Sequence, residues 1–175
     1  HRVSSQTPRL SPDVARRSRV AVITSQFNAE LTTSLERHCL QTLADASLPR
    51  ERVDTFAVPG ALEIPVVAKR LALSGRYDAL IALGVVIKGE TYHFELIANE
   101  SARGCNQIAL DTGVPVIMEI LACYTREQAQ ARCGDNAMNK GREAAAAAIS
   151  LLSLLPKLPK PPTTTTGQNH AIALF

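Results

Sequence analysis

The feature that most constrains this chain is a repeated alternation of short, apolar, β-branched runs with stretches of helical periodicity. The apolar runs span residues 20–23, 53–58, 77–87 and 114–121. All four are short for helices. Residues 20–23 and 77–87 are nearly all apolar, which is typical of parallel strands buried on both faces, and residues 114–121 are predicted to be a further buried strand. Four such strands with helices between them predict an α/β fold, a three-layer α/β/α sandwich around a four-stranded, mostly parallel sheet.

The intervening helices are predicted from apolar positions that recur every three or four residues. After the first run these positions are Leu31, Leu35, Cys39, Leu40 and Leu43, with Asn28 as the expected N-cap. After the second and third runs they are Ile64, Val67, Ala68 and Leu71, and then Phe94, Ile97, Ser101, Cys105 and Ile108. A short helix over residues 126–133 and an alanine-rich helix over residues 141–155 complete the predicted domain.

The predicted domain covers residues 19–155 and is flanked by two segments of different composition. Residues 1–18 are polar and are predicted to be an arm that orders only against a neighbouring molecule, with a flexible terminus as the alternative. Residues 156–175 are rich in Pro and Thr and are predicted to be a disordered tail. Because a four-stranded sheet is narrow and leaves apolar surface uncovered, we expect a homo-oligomer.

Composition argues against several partners. A net charge of +3 falls short of the basic footprint of a nucleic-acid binder. No apolar stretch reaches the roughly 18 residues of a membrane span, so no membrane partner is expected. The four cysteines lack metal-ligand spacing and are predicted to be buried free thiols of a reducing compartment. A cytoplasmic location is predicted, and organellar targeting stays open because the chain begins at His1 rather than Met.

Ligands of open parallel sheets bind beyond the carboxyl ends of the strands, so the segments that follow each run are the candidate site. After the third run, Gly89 and Thr91 are predicted to open a helix whose free N–H groups could hold a phosphate, with His93 one turn inside. Residues 84–91 have the spacing of a P-loop. Glu90 stands where that motif requires lysine, which argues against a P-loop ATPase.

Each candidate residue also has an interpretation that involves no function. His93 could cap or pack against its helix, and Glu63 could simply be stabilised by a helix dipole. Phe27 could belong to the core. Arg132 and Lys140 could be solvated charges, which is the usual state of such side chains. Taken singly, these residues do not establish a site.

Taken together, six segments resemble one family in order and spacing, the lumazine synthases. The segments are Phe27-Asn28, residues 58–65, 83–94 and 113–116, Glu127-Gln128-Ala129 with Arg132, and Asn139-Lys140-Gly141. The resemblance spans residues 20–155. It implies a flavodoxin-like sheet and a homopentamer with sites between subunits, which in some members assembles further into an icosahedral shell.

The resemblance also implies an activity, the transferase step of riboflavin biosynthesis. In it, 5-amino-6-(D-ribitylamino)uracil condenses with 3,4-dihydroxy-2-butanone 4-phosphate to give 6,7-dimethyl-8-ribityllumazine, without cofactor or metal. By this resemblance His93 transfers protons. The phosphate-binding positions are Gly89, Glu90, Thr91 and Arg132. The positions that bind the rest of the substrates are Phe27, Asn28, Ala61, Leu62, Glu63, Val85, Val86, Ile87, Met118 and Lys140.

The chain departs from the family pattern at a few positions. Met118 stands where many members carry an aromatic or other apolar residue, Glu119 where they carry a small residue, and Ala122 where threonine is common. Glu90 adds negative charge beside the expected phosphate. The competing functions are a riboflavin- or lumazine-binding paralogue, a cage protein with little turnover, and a generic flavodoxin-like nucleotide binder.

Overall fold

The computed structural model describes residues 8–160 and 162. The strands are β1 (Val20–Ser25), β2 (Val53–Val58), β3 (Ala79–Ile87) and β4 (Val116–Cys123). The helices are α1 (Pro12–Arg17), α2 (Ala29–Asp45), α3 (Ile64–Leu73), α4 (His93–Thr112), α5 (Arg126–Cys133) and α6 (Lys140–Leu154). Short 3₁₀ turns occupy Arg50–Arg52, Ala61–Glu63 and Leu155–Lys157.

The four strands form one sheet in the order β2-β1-β3-β4, and every neighbouring pair is parallel. This confirms the predicted α/β fold, and the sheet is wholly rather than mostly parallel. The chain runs outward from β1 to β2 and then crosses to the other side of β1 to form β3. The order of the strands therefore reverses between β1 and β3, and such a switch point opens a crevice at the carboxyl ends of the strands.

Two apolar layers cover the sheet, as the short buried runs predicted. Residues such as Val20 and Val22 face one layer with α2, α5 and α6. Ala21 and Ile23 face the other layer with α3 and α4. All six residues of β1 are buried, because strands of a parallel sheet are covered by helices on both faces.

The close approach of α6 to α2 in the first layer depends on a glycine. A Cβ atom added at Gly141 would lie 2.0 Å from the carbonyl oxygen of Leu35 on α2, which is closer than any side chain can approach. The N–H of Gly141 is capped by the Oδ1 of buried Asn139 at 2.8 Å. The first turn of α6 can therefore lie directly against α2 only because residue 141 has no side chain.

The described part of the predicted N-terminal arm packs on its own chain. Leu10 and Ala15 are each only 5% exposed and join the first apolar layer. The N–H of Leu10 donates to Ala46 O at 3.0 Å, and Ser11 caps α1. The polar composition of this segment suggested an arm that orders only against a neighbour. Burial of the Leu10 and Ala15 side chains is instead what holds its described part on its own domain. Residues 1–7 of that arm and most of the predicted tail lie outside the described residues.

Several predicted boundaries move by one or two residues. β3 begins at Ala79 rather than at Tyr77, because the two residues before it form a loop. In this loop the Tyr77 hydroxyl donates to the carboxylate of Asp54, and the Asp78 N–H donates to the carbonyl of Arg19. β4 begins after Pro115, which has no N–H to donate to a strand ladder. α6 starts at Lys140, one residue earlier than predicted, and ends at Leu154.

Two further predictions concern chemistry rather than topology. All four cysteines are buried as free thiols, as predicted, and burial raises their pKa values, that of Cys105 to about 11. Among residues 8–160, no helix is both long enough and apolar enough to cross a membrane.

Candidate functional site

Three of the predicted segments meet at the carboxyl ends of the strands. The N–H of Phe27, after β1, donates to Pro59 O, after β2, at 3.1 Å. The side-chain amide of Asn28 donates to Val85 O on β3 at 2.9 Å. We call the side chains gathered here the edge group, which comprises Phe27, Asn28, Ala61, Leu62, Glu63 and residues 85–93.

Asn28 occupies the cap position of α2 but does not act as the predicted cap. Its backbone is left-handed, with φ 58° and ψ 48°, and this turns its side chain toward Val85 and away from the helix. Asparagine tolerates this conformation better than most residues. The side-chain Oδ1 of Asn28 is left as the acceptor for a ligand, while the carbonyl of Val85 is already engaged.

Phe27 is 72% exposed, so the alternative that it belongs to the core is wrong. Its flat apolar ring stands at the switch point, where an aromatic ligand could stack on it. Leu62 is also exposed, whereas Ala61 beside it is buried. The carboxylate of Glu63 folds back over Gly60, where an added Cβ would lie 2.9 Å from its Oε2. Glycine at position 60 thus leaves room for the carboxylate in the turn after β2.

The loop after β3 is longer than predicted, because α4 begins at His93 and not at Gly89 or Thr91. His93 is therefore the first helical residue rather than one turn inside, and Gly89, Glu90 and Thr91 lie in an exposed loop before it. Val86 and Ile87, at the end of β3, are half-buried.

His93 lies beside the positive end of the α4 dipole. The first N–H groups of a helix have no intrahelical partner, and no side chain of the described residues caps α4. His93 is exposed, which excludes the alternatives that it caps the helix or packs in the core. An anion and a proton-transfer group can therefore share this end of α4.

A lysine that the sequence reasoning did not single out lies next to this loop. Lys88 Nζ is 3.8 Å from Glu95 Oε1 and 5.6 Å above the ring of Tyr124. Its ammonium adds positive charge next to Gly89 in the chain, and the carboxylate of Glu95 partly offsets that charge. The position of Lys88, directly after the most apolar run, was the available signal.

The remaining candidates are not gathered with the edge group on this chain. Arg132, exposed on α5, donates to Gln128 O at 2.9 Å, and Lys140 pairs with Glu143 at 2.6 Å. Met118 is 41% exposed in the middle of β4. It lies four positions before Ala122, which pairs with Val86, a distance of roughly 13 Å along the strand. In the described part of the chain, no hydrogen bond or ion pair joins these three residues to the edge group.

Glu119, one of the departures from the family pattern, is half-buried on the face of β4 that lies toward α6. Burial raises the pKa of its carboxyl to about 7, and the carboxylate of Glu143 acts in the same direction, whereas Lys140 opposes them. Ala122, the other departure, is exposed. In residues 8–160 no cluster of three or more His, Cys, Asp or Glu side chains has the arrangement of a metal site.

Comparison with known proteins gives a consistent match. A model of the family described as 6,7-dimethyl-8-ribityllumazine synthase matches residues 17–156. A 6,7-dimethyl-8-ribityllumazine synthase 1 of Caulobacter vibrioides is 47% identical over 129 residues, 74% of this chain and 84% of the relative. Synthases of Paraburkholderia phymatum and Coxiella burnetii are 47% and 43% identical, over 73% and 74% of this chain and 72% and 85% of their own lengths. The chain therefore belongs to the 6,7-dimethyl-8-ribityllumazine synthase family.

Proposed function

We propose that this protein is a transferase of riboflavin biosynthesis. It condenses 5-amino-6-(D-ribitylamino)uracil with 3,4-dihydroxy-2-butanone 4-phosphate to form 6,7-dimethyl-8-ribityllumazine. The observation that carries the proposal is that Phe27, Glu63 and His93 lie on segments that follow three adjacent parallel strands at one switch point, in a chain of this family. The four buried thiols agree with the reducing cytoplasm, where we place the reaction.

The pyrimidine binds against the exposed ring of Phe27, which offers a flat apolar face for stacking. The Oδ1 of Asn28 and the carboxylate of Glu63 accept hydrogen bonds from ribityl hydroxyls. The polar edge of the ring contacts backbone groups of Ala61, Leu62, Val86 and Ile87. Val85 belongs to the same site and holds the Asn28 side chain through its carbonyl. Polar groups that the bound substrate covers in this way reject analogues that lack the matching donors and acceptors.

The phosphate of the second substrate binds at the start of α4. The loop formed by Gly89, Glu90 and Thr91 leads into the free N–H groups of that helix, and Lys88 lies beside it. Arg132 supplies a guanidinium, which can bind phosphate through two parallel hydrogen bonds. Because phosphate is also the leaving group, holding its charge stabilises the transition state of elimination as well as the bound substrate.

His93 transfers protons during the reaction, since an imidazole can both accept and donate a proton near neutral pH. The pyrimidine 5-amino group attacks the ketone, and loss of water gives an imine. A proton next to the imine carbon is then removed and phosphate leaves. The enol that remains tautomerises to a ketone, the ribitylamino nitrogen attacks this new carbonyl carbon, and loss of a second water closes the lumazine ring. Holding two substrates together supplies much of the acceleration.

We further propose that the site is completed between subunits of a homopentamer. Met118, Lys140 and Arg132 lie apart from the edge group on one chain, so a neighbouring copy would bring them to it. Exposed apolar side chains such as Phe27 and Met118 favour such an association. The alternative assembly is an icosahedral shell of pentamers, which a mass measurement would distinguish.

The test of activity is to mix the purified protein with both substrates and follow lumazine absorbance above the uncatalysed background. We expect His93→Ala to lower kcat while KM is largely kept, and Arg132→Ala to raise KM for the phosphate substrate. Arg142→Ala, which removes an exposed arginine of α6, is the matched control. A folded oligomer that binds riboflavin tightly but gives no acceleration would contradict the proposal and favour the binding paralogue.

The shared site is tested by mixing subunits. His93→Ala and Arg132→Ala chains are unfolded together and reassembled in equal amounts. If each site takes its histidine and its arginine from different chains, about a quarter of the sites in the mixed oligomer regain both residues. If the mixed oligomer is no more active than oligomers of either variant alone, the interface arrangement is contradicted.

A further inference from the structure

The connection between α5 and α6, residues 134–139, is here called the α5–α6 loop. It joins Arg132 in the last turn of α5 to Lys140, the first residue of α6. All six residues of the loop are described, and they form neither helix nor strand. Contacts with the rest of the molecule must therefore set the position of the loop, and α2 supplies most of them.

The main contact is made by Asp135. Its Oδ1 accepts a hydrogen bond from His38 Nε2 at 2.8 Å and a second one from the guanidinium of Arg37. The imidazole is only 8% exposed, whereas the carboxylate is 71% exposed. Packing inside the domain holds the ring, so the ring can fix an otherwise solvated carboxylate. The hydrogen bonds from Arg37 and then His38 lower the pKa of Asp135, which keeps it an acceptor at neutral pH.

Both ends of the loop are bound to the same helix. The Ser34 hydroxyl donates to the carbonyl of Cys133 at 2.5 Å, just before the loop. At the other end, the amide of buried Asn139 donates to Ser34 Oγ at 3.5 Å and to Gly134 O at 3.0 Å. Ser34 and His38 are four residues apart and therefore share one face of α2. This face acts as the support on which the loop lies.

We propose that His38 and Asp135 are positioning residues for the reaction. Through the α5–α6 loop they hold the guanidinium of Arg132 and the ammonium of Lys140 at the separation that the phosphate and the pyrimidine require. The proposal rests on the proposed function, because that function gives Arg132 and Lys140 their ligands. Binding groups lose affinity when their supporting contacts are left loose, even if the groups themselves are unchanged.

Arg37 provides the matched control. Its side chain is 58% exposed, and an ion pair between exposed groups contributes little to holding a loop. Arg37→Ala removes one bond to Asp135 but leaves the bond from the buried His38. If the buried hydrogen bond is what positions the loop, only His38 and Asp135 variants should change substrate binding.

The experiment compares His38→Ala, His38→Gln, Asp135→Ala and Arg37→Ala as full chains, after oligomer size and circular dichroism have shown that each is assembled. We expect His38→Ala and Asp135→Ala to raise KM for the phosphate substrate by about 3- to 10-fold with kcat little changed. The double variant should be no worse than either single variant. His38→Gln should restore KM, because its amide can donate in place of Nε2.

Loss of kcat without a change in KM, and without rescue by glutamine, would indicate a merely structural role and overturn the proposal. If His38→Ala does not fold, Asp135→Ala carries the test, because residue 135 is exposed. A normal KM in Asp135→Ala together with a raised KM in Arg132→Ala would refute the positioning role and leave the proposed function intact.

A second readout does not depend on activity. Hydrogen exchange of the amides in residues 134–139 should be faster in His38→Ala and Asp135→Ala than in the wild-type protein and Arg37→Ala. Unchanged exchange would overturn the proposal even if the enzyme proved inactive on both substrates.

Discussion

Glu119 gives the sharpest stability prediction, because folding confines its carboxyl among apolar groups beside a second carboxylate. Burial first, and Glu143 second, raise its pKa from the ordinary value of 4.5 to about 7. That difference corresponds to about 3 kcal/mol of free energy that the ionised form costs the folded state. Since the side chain is only half-buried, we expect about 1–2 kcal/mol to survive solvent screening.

The sign of the effect with pH follows from linkage. A raised carboxyl pKa means that the folded state holds a proton that the unfolded state releases. The cost is absent below pH 4.5, develops as pH rises through the unfolded value, and is complete above about pH 7. Glu119→Gln, which cannot ionise, should therefore raise the free energy of unfolding at pH 8 and change it little at pH 4.5.

The assay is urea unfolding of both proteins at pH 4.5, 6 and 8, at one fixed protein concentration because association contributes to apparent stability. Glu51→Gln, which removes an exposed carboxylate, is the control and should show no such trend. If Glu119→Gln raises the free energy of unfolding equally at pH 4.5 and pH 8, or lowers it at pH 8, the reasoning is refuted.

Two further predictions test the backbone around the site. Gly141→Ala should abolish folding or lower the free energy of unfolding by more than about 3 kcal/mol, measured by thermal unfolding, because its Cβ meets Leu35 O. Gly89→Ala, with nothing within 4 Å of the added Cβ, should unfold at the same temperature as the wild type. Equal loss of stability in the Gly141 and Gly89 variants would contradict the role of the clash with Leu35. Asn28→Gly should cost about 1 kcal/mol for the lost bond to Val85. Asn28→Ala should lower the free energy of unfolding by about 1 kcal/mol more than Asn28→Gly, because alanine is strained in the left-handed backbone. Equal stability of the two variants would argue against strain at this position.

The secondary structure was largely predictable because local periodicity reports burial. The four apolar runs became four parallel strands, and β2 spans the predicted residues 53–58. The apolar face of α4 is also confirmed, since Phe94 and Cys105 are buried on it. Boundaries were less predictable where a loop contact competes with a helix or strand, as at Tyr77 and at the start of α4.

The candidate site was predictable as a set of segments, because the carboxyl ends of parallel strands share one edge. Its geometry was not. The composition of residues 25–28 does not show whether Asn28 caps α2 or bonds to Val85, since the answer depends on where β3 lies. The predicted strand over residues 114–121 already contained Met118, but its register against β3, which sets Met118 apart from the edge group, depends on how the two strands pair.

The sequence alone determined the four strands, the five helices that cover them and the double-sided burial of the sheet, and it named the residues that we propose to carry chemistry, whereas α1 was not predicted. All of these depend on spacings of a few residues, which periodicity and motif order report directly. Only the tertiary structure decided the strand order, the helix crossing that requires Gly141, and the contact of His38 with Asp135 across 97 residues of chain. Such contacts depend on how distant segments pack, and no local pattern records which segments will meet.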